Sequence, residues 1–182
     1  MEECKLVKIR SLFYLLAVGI LLSGCISLPT SDGGKINISK DGLEIEGEDG
    51  EKASIDVDTE DGGYTVTSDG GGLAQVGSHA EIPENFPKDI LIPSDQKPIM
   101  AVDTSEDGKI SIMLAFEMDD NMDEGTKKYE KYLVDNGYDL EEIELGEAMK
   151  SFSGNKEGSY LTYQFMLDDG DNYTMQVMYG ER

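Results

Sequence analysis

The chain has 182 residues, with 38 Asp or Glu against 15 Lys or Arg, a formal net charge of −23, a single His and no Trp. This balance argues against nucleic acid as a partner, because a phosphate backbone needs Lys and Arg to displace its counterions. It equally disfavours electrostatic attraction to an anionic lipid surface.

The first segment sets the context of the rest. Lys5, Lys8 and Arg10 precede an apolar run, residues 12–22, of signal-peptide length and too short to span a bilayer comfortably. The run closes on Leu22-Ser23-Gly24-Cys25. This ending resembles the lipobox of bacterial lipoproteins. The resemblance implies that residues 1–24 are a signal peptide and that Leu22, Ser23 and Gly24 are read by the signal peptidase. It also implies that Cys25 carries diacylglycerol, whose two acyl chains anchor stably where one would hold only marginally. The expected location is the extracytoplasmic face of the cell membrane, with the membrane as a partner through the lipid. Cys4 would leave with the leader, so no disulfide could form within the remainder.

Residues 25–34 read as a short tether to that lipid. Residues 35–72 are punctuated by Asp-Gly at 41–42, 49–50, 61–62 and 69–70, with short alternating segments such as Ile36/Ile38 and Ala53/Ile55/Val57 between them. Period-two alternation bounded by Asp-Gly predicts hairpins. The set resembles the strand repeats of secreted β-meanders and β-rolls. Residues 73–97 read as a connector, in which Pro83, Pro87 and Pro93 bar helix. From Ile82, the run Ile-Pro-Glu-Asn-Phe-Pro-Lys-Asp resembles the entry to a small α+β domain found in uncharacterised envelope lipoproteins. That resemblance covers residues 82–182 and carries no catalytic residues with it.

Beyond residue 98 the pattern predicts strands near 98–104 and 109–118, then a helix from about Met122 to Asn136, capped by Asn121 and stopped at Gly137. Strands follow near 138–145, 159–167 and 172–179, with a short one around 147–153. After the leader, every Tyr and Phe except Tyr64 lies at or beyond Phe86, and every Met lies between Met100 and Met178. The core therefore belongs to the second half. The expected fold class is α+β: an acidic N-terminal β-hairpin appendage, then a compact ββαβββ domain (98–182) with one helix on an antiparallel sheet.

Chemistry is sparse. His79 sits in a Gly/Ser-rich stretch with no Cys beside it, and it reads as a solvated loop residue rather than a base. Met175 and Met178 are three apart on a strand and should face opposite ways, which suits core filling better than copper(I) binding. Two acidic turns are weak calcium candidates: Asp56, Asp58 and Glu60, then Asp168, Asp169 and Asp171. The first nearly matches the start of an EF-hand loop, but its glycine comes one place late and no closing glutamate follows. No catalytic residues and no non-covalent cofactor are expected. The chain reads as a lipid-anchored extracytoplasmic envelope protein acting as a non-enzymatic binding or interaction module, with a basic or envelope protein as a suitable partner. The alternative is a low-affinity calcium-binding surface lipoprotein.

Overall fold

A computed structural model describes residues 25–30, 33–39, 42–58, 62–119, 121–144, 148–168 and 172–182. Among these residues there are twelve strands and one α-helix, in two compact units that divide at Ser54/Ile55.

The first unit contains β1 (Cys25–Pro29), β2 (Lys35–Ser39), β3 (Gly42–Glu46) and the start of β4 (Lys52–Asp58). Its strands are antiparallel, with Ile36 opposite Ile45 and Ile38 opposite Leu43. Ile38 and Ile45 stay 39% and 40% exposed, so this layer buries little apolar surface. Lys52 Nζ instead lies 3.2 Å from Glu44 Oε1, and the ammonium holds that carboxyl below its ordinary range. Residues 25–29, expected as part of the tether, pair with β2 from Cys25↔Ser39 to Pro29↔Lys35.

The second unit continues with β5 (Gly63–Ser68), β6 (Leu73–Val76), β7 (Met100–Asp103) and β8 (Ser111–Met118). Then come α1 (Met122–Asp135), β9 (Asp139–Glu144), β10 (Met149–Lys156), β11 (Ser159–Leu167) and β12 (Tyr173–Glu181). Its strands run in the order β4-β5-β6-β7-β8-β12-β11-β10-β9. The helix and the strands beyond residue 98 lie close to where the alternation placed them. The fold class does not: the protein is mostly antiparallel sheet with a single helix, not an appendage beside a compact ββαβββ domain. The reason is strand pairing. β5 pairs with β6, and β6 pairs with β7 from Leu73↔Asp103 to Val76↔Met100, so these two strands extend the core sheet of the second unit. Without β6, that edge of β7 would present unpaired N–H and C=O groups. The connector accordingly begins after β6.

The core lies on one face of β8, β12, β11 and β10. Leu114, Phe116, Leu161, Tyr163, Phe165, Met175 and Val177 are fully buried there; on β11 and β12 they alternate with half-exposed neighbours as the pleat requires, while on β8 Ala115 is buried as well. α1 covers this face with Tyr129 and Leu133. Its start is fixed by Asn121 Oδ1, which accepts the Asp123 and Glu124 amides at 3.0 and 3.2 Å. Lys150 Nζ, on β10, donates to Asp123 Oδ1 at 2.9 Å and ties that helix end to the sheet. The Tyr129 and Tyr163 rings meet at 4.8 Å between centroids. The proline-rich segment closes over the core through Phe86 and Ile90. It is held by Tyr132 Oη donating to the Asp89 carbonyl (2.7 Å) and Tyr163 Oη to the Leu91 carbonyl (2.9 Å).

Candidate functional site

At one end of the second unit, the turn between β10 and β11 meets the end of β12, the approach to β8 and the proline-rich segment around a cavity of about 450 Å³. The turn itself is tight, with Glu157 and Gly158 both in the left-handed region at φ 48° and 86°. The Arg182 amide donates to the Gly158 carbonyl at 2.8 Å, and its guanidinium donates to Asn155 Oδ1 at 2.7 Å, so Arg182 lies along the turn. Glu181 is committed within the protein. Its Oε2 accepts the Ile110 amide at 3.2 Å, and its Oε1 accepts Tyr179 Oη at 3.3 Å. Lys109 is fixed by reciprocal backbone bonds with Glu106, at 2.9 and 3.1 Å.

Two tyrosines give the cavity its apolar wall. Tyr138 stands where β10 carries Gly154; a Cβ at that glycine would come within 2.6 Å of the Tyr138 Cβ, so the ring's position depends on a missing side chain. The Lys156 ammonium lies 5.7 Å from the centre of the Tyr138 ring, within cation–π range. Burial pushes the Tyr138 and Tyr179 hydroxyls above the ordinary tyrosine value, with the nearby Glu181 carboxylate adding to the effect at Tyr179.

The charges around this cavity stand out against the rest of the chain. Among the bases after Lys97, Lys127, Lys128 and Lys131 belong to α1, and Lys150 pairs with Asp123. The remaining three, Lys109, Lys156 and Arg182, all line the cavity. Among the described residues none of them has a carboxylate oxygen within 4.0 Å, although acids outnumber bases 38 to 15. Sequence reasoning missed this site, because a β-turn lysine and two bases far apart in the chain carry no motif. One signal was available: these are the late bases that the helix and its partner leave over.

The residues singled out from sequence fall elsewhere. Leu22, Ser23 and Gly24 lie outside the described residues, and Cys25 opens β1. Asp56 and Asp58 share β4, while Glu60, Asp169 and Asp171 lie outside the described residues. Asp168 Oδ2 accepts from Thr174 Oγ1 at 2.7 Å. Of the described members, Asp56 and Asp58 on β4 and Asp168 at the end of β11 are not brought together, since β4 and β11 are six places apart in the strand order. Among the described residues no three His, Cys, Asp or Glu side chains form a metal-ligand group.

His79 differs from expectation. It ends a 3-10 turn (Gly77–His79) and is half-buried, with Nε2 3.4 Å from Asp58 Oδ2 and Nδ1 3.3 Å from Thr65 Oγ1. Asp, His and Thr thus lie in the order of an orienter, a base and a nucleophile. The same contacts also link β4, β5 and the turn after β6, which is the mechanical role they fill.

Comparison of the chain with protein-family models, curated proteins and solved structures finds no match.

Proposed function

We propose that this chain is a lipid-anchored, non-catalytic binding protein of the extracytoplasmic envelope, and that its ligand enters the cavity between Lys156, Lys109 and Arg182 and carries an anionic group. The observation that carries the reading is the set of three bases around one cavity that make no ion pair among the described residues, in a chain of net charge −23. A strongly acidic protein repels anions at long range, so binding one requires local positive charge that its own carboxylates have not neutralised. A cavity of about 450 Å³ also falls in the range of small-molecule sites, roughly 300–1,000 Å³. The leader and Leu22-Ser23-Gly24-Cys25 support the anchor. High negative charge suits a domain that stands off an anionic leaflet and leaves attachment to the lipid.

Two measurements test this. Radioactive fatty acid should label the wild-type chain and not Cys25→Ser, which should accumulate as an unprocessed precursor; equal label in both would sink the anchored reading. The full chain in detergent should bind 3-phenylpropionate, an anion with a ring, with an affinity that falls as salt rises. Binding that is unchanged in Lys156→Gln would place the anion elsewhere and overturn the cavity assignment.

A further inference from the structure

We infer that the ligand is a zwitterion, a small α-amino carboxylate such as a free amino acid or short peptide with an apolar side chain. The inference rests on the cavity being the binding site proposed above. The cavity wall carries both signs of charge. Asp89 and Glu157 line it together with Lys109 and Lys156, yet among the described residues none of these four makes an ion pair within 4.0 Å.

Their backbones explain why the charges stay apart. Asp89 belongs to the proline-rich segment, where its own carbonyl is held by Tyr132 Oη at 2.7 Å. Glu157 projects from a left-handed turn position, and Lys109 from a turn closed by two backbone bonds with Glu106. Lys156 has the Tyr138 ring face as its partner. Pairing exposed charges gains only about 0–1 kcal/mol, so these anchors suffice to keep them separate.

A simple anion would meet the bases and also face two free carboxylates. A simple cation would meet the reverse. Only a ligand with both charges satisfies both sets of side chains, and Tyr138 and Tyr179 offer its apolar part a wall. Glu181 also lines the wall, where the Ile110 amide and Tyr179 Oη hold one oxygen each and keep its carboxylate in place.

The test is equilibrium binding of three probes by the full chain in detergent at low salt: L-phenylalanine, 3-phenylpropionate and 2-phenylethylamine. Phenylalanine should bind at least about tenfold more tightly than either single-charge probe. Lys156→Gln should weaken phenylalanine and phenylpropionate but not phenylethylamine. Glu157→Gln should weaken phenylalanine and phenylethylamine but not phenylpropionate. Both positions are exposed, and unchanged circular dichroism together with an unaffected Lys97→Gln control would show that the fold is intact. Phenylpropionate binding as tightly as phenylalanine would overturn the zwitterion and leave the anion-binding cavity standing. Failure of all three probes at about 10 mM would remove both readings. Phenylalanine binding untouched by either substitution would overturn the inference by locating the amino acid outside this cavity.

Discussion

Phe116 and Phe165 sit at the same level of the sheet, each directly opposite Met175 on the strand between them, and all three are fully buried. Removing either ring should leave a void that close-packed neighbours cannot fill, at a cost of about 3–5 kcal/mol. Met113 is on the opposite face of the same strand as Phe116 and is only half-buried, so Met113→Ala should cost clearly less. Urea denaturation of the variants decides the matter, and equal losses would mean that both faces are covered. The same packing has a pH consequence. Burial raises the hydroxyl of Tyr163 far above its ordinary value of 10.0, and it raises Tyr132, Tyr138 and Tyr179 in the same direction. A raised folded value means that the folded state holds the proton more tightly than the unfolded chain does. That contribution is therefore fully present below pH 10.0 and is lost as the pH rises above it. Denaturation midpoints from pH 8 to 11.5 should fall at the alkaline end. Tyr163→Phe should flatten the fall while costing about 1 kcal/mol at neutral pH for the lost bond to Leu91. An alkaline slope identical in this variant and the parent would refute the assignment.

At the scale of elements, β10 connects the core to the cavity. Phe152 points into the core, Gly154 makes room for Tyr138, and Lys156 reaches over that ring. Gly154→Ala would set its Cβ against the Tyr138 Cβ, a clash that no rotation of the ring relieves, so the backbone at residue 138 must shift and carry the ring with it. The expected result is a loss of about 1–3 kcal/mol of stability and at least about a fivefold loss of ligand affinity, roughly 1 kcal/mol. Parental affinity in this variant would show that the ring does not shape the site. The elements also show what the sequence made legible. β8 and α1 were readable because strict alternation and a capped, Gly-terminated stripe leave few other solutions. For β10 the sequence predicts only a short strand near 147–153. Its run of Ser, Gly, Asn and Lys lacks the apolar alternation that marks a strand, and it forms because β9 and β11 pair with it on both sides.

For the whole molecule, the core cluster runs from Phe86 to Tyr179 and the compact units divide at Ser54/Ile55. A fragment of residues 55–182 should therefore melt cooperatively near the parental midpoint. A fragment of residues 82–182 keeps the whole cluster from Phe86 to Tyr179 but loses the buried Ala80 and β6, which bares the edge of β7. It should be less stable and should self-associate with rising concentration. Thermal melts and sedimentation of the two fragments check this, and a monomeric 82–182 fragment of full stability would show that β6 is dispensable. By itself, the sequence determined the lipobox expectation for Cys25, the register of apolar faces from β8 onward, the position of the helix and the location of the core, because each follows from local spacing along the chain. Only the tertiary structure decided that β6 joins β7, that His79 lies between Asp58 and Thr65, and that Lys109, Lys156 and Arg182 share one cavity. Strand pairing and side-chain convergence join residues far apart in sequence, and period-two alternation is the same whichever strand lies alongside.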